Sequence, residues 1–531
     1  MSQYPSETDP DAIDNADETT PLLATEPSTT RQEDNQQRQD DHIEENVDSI
    51  SKSTQQSARV LTLVCTLLML IDIAGFLGMA PQMQIFEDII CQNYYAGQPN
   101  QIDTLPVNER CKIEPVQSEL AIIQAYKDTF DQLPGIVLGV VYGLLADRVG
   151  RKPILLCGML GLALSGLWVK VVCWFPEVIP LKMVYLSAPI LIFGGGAQVA
   201  SSMFFVMLAD SYSEEERATS FFYFSAVVLT AEIVATPISG LTMTEDPWLP
   251  FLLSSGVEFL AVVVAILFAP ETLPVMRPKF GGTPGSSTTD SDESTTPLKE
   301  MPFIRTVVAK LSDSLKLIIE STHFLSTNLN VSLLLLVFFV ATLSRQAMAL
   351  LLQYATKKYH WSYSKATILV SVRGAVNLAA VLIILSFLSR LLLKHLKLDA
   401  PSKDLWLSRG TAFLLTTGML LMFSAPAPAI LIIGLVAVAL GSPLHLTARS
   451  LITSLVLPNQ VGVLYTSLAV VQSVGILIAG PLLANTFRWG MKLGDTWLGL
   501  PFLAAAVMYL LSFLLIGVVN LSRRPLMHSI Q

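Results

Sequence analysis

Charge is scarce in this sequence: 15% of its 531 residues are charged and 52% are hydrophobic, where a soluble domain carries about 25% charge. That deficit argues against an ordinary water-exposed surface and points to lipid around much of the chain. Cysteine is scarce too. Cys65, Cys91, Cys111, Cys157 and Cys173 have no metal-ligand spacing, so neither a metal nor a cofactor is expected. Phosphate-binding glycine loops, nucleophile elbows and metal-spaced His/Cys clusters are missing, which speaks against the common enzyme classes. No basic surface suggests nucleic acid. Missing as well is the charged-then-apolar opening of a cleavable signal peptide, so the first apolar segment is expected to insert as a permanent helix.

What charge there is sits unevenly. Residues 1–57 hold 14 Asp and Glu against Arg31, Arg38 and Lys52. They are rich in Ser, Thr and Gln with almost no aromatics, the composition of a disordered acidic tail. Apolar segments follow near 60–80, 126–146, 153–173, 183–208, 218–241 and 249–270, then near 331–353, 365–390, 406–425, 428–448, 463–486 and 499–521. Each approaches the roughly 20 residues a helix needs to cross the hydrocarbon core. The expected fold is therefore an all-α integral membrane protein of twelve spans, six in 58–270 and six in 329–522. A polar linker, 271–328, joins the two sets and a short tail, 523–531, ends the chain.

The strongest Lys/Arg clusters fall in the 2–3 loop (Arg148, Arg151, Lys152) and the 8–9 loop (Arg390, Lys394, Lys397, Lys403). Equivalent points of the two halves are thereby marked as cytoplasmic, and both termini with them. Cys91 and Cys111 then lie in the one long loop after the first span, on the oxidising side, where a disulfide and two free thiols are both open. Glu18, Leu22 and Leu23 in the tail form an acidic dileucine pattern of the kind read by sorting adaptors. A plasma-membrane location is expected, with a vacuolar or endosomal membrane as the alternative.

The most specific motif is GLLADRVGRKP at 143–153. Gly143, Leu145, Ala146, Asp147, Arg148, Gly150, Arg151 and Lys152 match the G-x-L-A-D-R-x-G-R-K loop of the major facilitator superfamily, which the chain resembles over residues 58–525. The resemblance implies two pseudo-symmetric six-helix bundles around one cavity, working by alternating access. It also implies that this loop latches the cytoplasmic side, with the start of span 11 near Val461 and Gly462 as the partner of Asp147. TPISG at 236–240 partly resembles the Gly-Pro-x-x-Gly-Gly motif of antiporter-type members. Pro237 and Gly240 would kink span 5, with or without a meaning for direction.

Charged groups inside a membrane are functional candidates by default. Asp72 resembles the first-span Asp of tetracycline-type and drug–proton antiporters, and Glu232 and Glu258 are the other deep carboxylates. A carboxylate in an apolar cavity protonates more readily than one in water, so these three are the candidates for proton coupling. Arg345 and Arg373 are the deep cations, suited to an anionic substrate or to neutralising a carboxylate across the cavity. Buried structural pairs are the plainer reading of all five. Gln198, Gln346, Asn377 and Gln472 join the substrate-binding candidates, with interhelical hydrogen bonding as the alternative. Asp128 and Asp131 are assigned to a wet mouth, and His445 to packing.

The function expected is proton-coupled efflux of a small organic molecule, a secondary metabolite or drug, by a chain acting as a monomer, and the cations Arg345 and Arg373 suggest an acidic one. Resemblance to fungal family members favours export. Uptake or vacuolar transport, as in proton-coupled folate carriers, is the nearest rival, and a non-transporting nutrient receptor on the same fold is the other.

Overall fold

The structure is a computed structural model that describes residues 29–96, 109–212, 214–272, 328–457 and 460–519, with side chains described from Ser57 onward and outside 214–222. The sorting pattern at Glu18, Leu22 and Leu23, most of the linker and the C-terminal tail lie outside the described residues. Among the described residues twelve helices are long and apolar enough to cross a membrane. Spans 1 to 6 are Ser57–Ala96, Glu114–Val149, Arg151–Trp174, Leu181–Ser211, Tyr223–Thr242 and Trp248–Phe268; spans 7 to 12 are Leu329–Tyr359, Tyr363–Lys394, Ala400–Ser424, Pro428–Thr453, Val461–Leu493 and Asp495–Val518. In hydrocarbon every backbone donor and acceptor must be satisfied within the segment, so these Leu-, Val-, Ile- and Ala-rich runs have no alternative to helix.

Two expectations are corrected. Helix begins at Thr29, so residues 29–57, expected to be disordered, are helical. Gln, Glu and Arg are good helix formers, and neither Pro nor Gly occurs between Pro27 and Gly75 to interrupt them. Spans 1 and 2 also extend well past their apolar runs, to Ala96 and from Glu114. Cys91 therefore sits on the last turns of a helix, not in a loop. The polar residues that ended the apolar run in sequence, among them Gln82, Glu87 and Gln117, bond to other helices instead of to water.

The first bundle has two separate apolar cores. One gathers Leu67, Leu155, Met159 and Phe204 near the signature loop; the other gathers Phe86, Leu120, Val172 and Phe251 towards the disulfide. A single continuous core fills the second bundle and reaches across to Met83 and Met243 of the first. Spans 4, 7 and 10 are interrupted, and span 8 widens into a π turn over Ala380–Ile384. Span 4 breaks at Gly194–Gly195–Gly196, where Gly195 and Gly196 have φ of 71° and 68° and a side chain on Gly194 would stand 2.2 Å from the Cys157 carbonyl. Span 7 tightens into a 3-10 turn over Gln346–Leu350, and span 10 breaks at Ser442–Pro443.

Candidate functional site

Spans 7 and 10 are interrupted where they face a cavity of about 510 Å³ between the bundles. The break in span 7 presents Arg345, Gln346 and Met348 to it, and the break in span 10 presents Ser442 and His445. Discontinuous helices at mid-membrane mark binding sites in transporter folds, because the interruption frees polar groups beside a cavity instead of in lipid. Four of the six substrate-binding candidates, Arg345, Gln346, Arg373 and Asn377, line this cavity. Met79, Met83, Met348 and Met419 supply a soft apolar wall that can mould to varied shapes. Asn377 accepts a short hydrogen bond from the Ser442 hydroxyl, which ties span 8 to the broken span 10.

The first bundle supplies carboxylates. Glu232 of span 5 is buried and accepts from Arg373 of span 8, at 3.1 Å from Nε and 2.5 Å from Nη2. One helical turn on, the Thr236 and Ser371 hydroxyls bond each other at 2.6 Å. Asp128 of span 2 lines the cavity directly, which Glu232 does not, and accepts from Gln124, which accepts in turn from Gln82 of span 1. Asp128 is thus cavity wall and not merely a wet mouth, and His445, expected to be a packing residue, lines the cavity as well. Asp131 instead pairs inside the first bundle, with Lys127 at 2.8 Å and with Ser187 at 2.6 Å. Among the described residues no carboxylate pairs with Arg345.

The remaining candidates lie elsewhere. One carboxylate oxygen of Asp72, Oδ2, is buried without a hydrogen-bond partner, yet Asp72 does not line this cavity. Glu258 of span 6 faces span 3, where its carboxylate and the Lys170 amine both approach Gly166. Gln198 packs against Gly135 of span 2, and Gln472 does not line the cavity either. Their polarity was visible in sequence, but which face of the helix it occupied was not.

Gly240 holds the two bundles close. Its carbonyl accepts from the Ser364 hydroxyl at 2.6 Å, and a Cβ there would stand 2.3 Å from Thr367 Oγ1 and 2.9 Å from the Ser364 carbonyl. Close approach of spans 5 and 8, beyond any bend at Pro237, is what this glycine permits.

At the signature loop, Arg151 donates to Asp147 at 2.5 Å and to Asp210 at 3.2 Å. The first backbone amides of span 3 donate to Glu271, just beyond span 6, at 2.8 Å from Arg151 and 3.2 Å from Lys152. Gly150, at φ 120°, leaves room for that carboxylate, since a Cβ would stand 2.4 Å from its Oε2. A carboxylate thus does sit at a helix N-terminus here, as the macrodipole favours, but it is Glu271 and not Asp147. A Cβ on Gly462 would meet nothing within 4 Å, and the Asp147 carboxylate is taken up by Arg151.

At the opposite end Cys91 and Cys111 form a disulfide. Beside it lies a group that the sequence reading missed: buried Glu87 accepts from Lys112, Gln117 and Tyr363. A second cavity of about 220 Å³, sharing Met83, Gln124, Asp128, Gln346 and Ala349 with the first, leads up to Gln353 beneath this group. Among the described residues no three His, Cys, Asp or Glu side chains gather as a metal site.

Comparison with known proteins agrees with this architecture. Residues 128–480 match the Major Facilitator Superfamily model. The efflux pump ustT of Aspergillus flavus is 36% identical over 87% of this chain and 88% of its own. The MFS efflux pump atnC of Emericella nidulans is 33% identical over 86% of each. Among solved structures, the human organic anion transporter MFSD10 (TETRAN) superposes with a TM-score of 0.52 at 17% identity, covering 87% of this chain and 99% of that one. A D-xylose–proton symporter gives 0.56 at 13%, covering 87% and 97%; at such identities the likeness concerns the fold. With twelve spans around a central cavity and a family match across both bundles, the chain belongs to the major facilitator superfamily of membrane transporters and is not an enzyme.

Proposed function

We propose that the chain exports a small apolar organic anion of secondary-metabolite type across the plasma membrane, in exchange for protons. The observation that carries the substrate charge is Arg345, a guanidinium facing a methionine-lined cavity with no carboxylate paired to it among the described residues. An unpaired cation in such a cavity is costly unless the substrate supplies the counter-charge. Efflux pumps among the relatives supply the direction.

Arg373 and Glu232 supply a means of coupling. A substrate anion reaching Arg373 competes with Glu232, and a carboxylate losing its cation in a desolvated site takes up a proton. Glu232 is therefore the preferred proton carrier, and Asp72, with its unpartnered oxygen, a second. The disulfide supports placing its end outside, and the basic signature loop supports placing the other end in the cytoplasm. In that orientation the structure is the inward-facing state, and Asp147 would meet the start of span 11 when the cavity faces out.

The test is accumulation of fluorescent organic acids in cells carrying wild type, Arg345→Ala, Glu232→Gln or Asp72→Asn, at two external pH values. Lower accumulation with wild type, deepened by external acid and lost in Arg345→Ala and Glu232→Gln, is the expected outcome. Higher accumulation with wild type would reverse the direction, and an unaltered Arg345→Ala would remove the anion.

A further inference from the structure

At the disulfide end, four hydrogen bonds from three side chains converge on one carboxylate buried between the bundles. Lys112 Nζ donates to Glu87 at 2.6 and 2.9 Å, Gln117 Nε2 at 2.8 Å and Tyr363 Oη at 2.7 Å. Lys112 and Gln117 share the first bundle with Glu87, whereas Tyr363 opens span 8 of the second. The ammonium of Lys112 also stands 4.7 Å from the Tyr363 ring centroid, a cation–π contact across the same boundary. Two further bonds cross beside it: Gln353 of span 7 donates to the Gln117 carbonyl at 2.7 Å, and Lys357 donates to the Lys112 carbonyl.

The disulfide is built into this group. Cys91 lies one helical turn beyond Glu87, and Cys111 directly precedes Lys112. The Cys111 carbonyl accepts from Gln117 at 2.9 Å, and the neighbouring Arg110 carbonyl from Tyr95 at 3.0 Å. The crosslink thus holds the segment carrying Lys112 against the helix carrying Glu87, so the charge pair is complete within the first bundle and needs nothing from the second.

We propose that Glu87 is the keystone of the gate at this end of the transport cavity, and that the Cys91–Cys111 disulfide is the brace that keeps it set. When the bundles part, Glu87 keeps Lys112 and Gln117 and gives up only Tyr363, so no buried charge is stranded and the gate can open reversibly. Glu87 acts on substrate access as a gating residue. It does not line the main cavity.

The test uses the full-length chain, with Cys65, Cys157 and Cys173 replaced by Ser and a reporter thiol introduced in the cavity wall by Met348→Cys. A membrane-impermeant maleimide is applied to the disulfide-end face of vesicles holding the protein in one orientation. Labelling should rise at least roughly tenfold in Tyr363→Phe and in Glu87→Gln, the population shift that loss of one hydrogen bond to a charged acceptor produces. Lys182→Ala, which breaks an exposed ion pair with Glu119 at 3.6 Å on the same face, should leave the rate unchanged. If Tyr363→Phe, folded by its melting temperature, labels no faster than Lys182→Ala, the gate is overturned. Replacing Cys91 and Cys111 together by Ser should raise labelling as Tyr363→Phe does; no rise overturns the brace. No substrate is needed, so this outcome is separable from failure of the export reading.

Discussion

The two ends of the molecule handle charge differently. At the disulfide end Glu87, Gln117 and the Lys112 carbonyl bond across the boundary to Tyr363, Gln353 and Lys357. At the signature-loop end Arg151 bonds both Asp147 and Asp210, and the Lys152 ammonium bonds the Ile266 carbonyl, all within the first bundle. Both ends nonetheless obey one rule: a charge that must survive opening keeps a partner on its own bundle. An alternating-access protein needs two states of similar free energy. Stranding a buried ion in either state would cost several kcal/mol and lock the other.

Between the two ends, the Glu232–Arg373 pair breaks that rule, and it offers the largest test. Glu232 is 6% exposed at its side chain, Arg373 27%, and the pair itself spans the bundles. Arg373→Ala would leave a buried carboxylate uncompensated, a loss of about 3–5 kcal/mol by the usual cost of breaking such pairs. Glu232→Gln in the same chain should recover much of it. Melting temperatures of the purified single and double variants measure the coupling; additive effects would mean that the pair stabilises nothing. Transport should fail in all three, because stability can be restored without restoring the exchange of partners.

The sequence exposed this pair only halfway. A charge inside an apolar run is conspicuous, so Glu232, Arg373 and Arg345 stood out, and the twelve spans stood out for the same reason. Pairing depends on helix crossing and rotation, which a linear pattern does not carry; Gln472 gave the same signal as Gln346 yet does not line the cavity, and Glu258 gave the same signal as Glu232 yet does not meet Arg373. Glu87 escaped for the opposite reason. Its neighbours Gln82, Gln84 and Asp88 dilute the apolar run until it resembles a wet loop, whereas the helix continues to Ala96 and turns Glu87 towards the second bundle.

Gly240 sharpens the comparison from the side of packing, since spans 5 and 8 must stay close whichever end is open. Gly240→Val would push the Ser364 backbone away, a cost of about 1–3 kcal/mol for overpacking a close contact. It should also weaken the Ser364 hydrogen bond and the Glu232–Arg373 contact further along the same helices. A lower melting temperature together with reduced transport is the expected result. Unchanged stability would mean that spans 5 and 8 can separate freely, and the boundary would then be held at the disulfide end alone.

The smallest effect on stability should come from Asp147→Asn, and its value lies in the contrast with transport. Asp147 is 57% exposed at its side chain and pairs with Arg151, which keeps Asp210 as a second partner. An exposed pair of this kind contributes about 0–1 kcal/mol, so the melting temperature of this conformation should scarcely move. If Asp147 latches the signature-loop end in the opposite state, the substitution removes an interaction that only that state makes, and transport should fall while stability holds. The population facing the disulfide side should fall with it, the reverse of Tyr363→Phe. Equal loss of stability and transport would assign Asp147 to the architecture of the first bundle, and the two ends would then differ in kind, with one built to switch and the other only to hold.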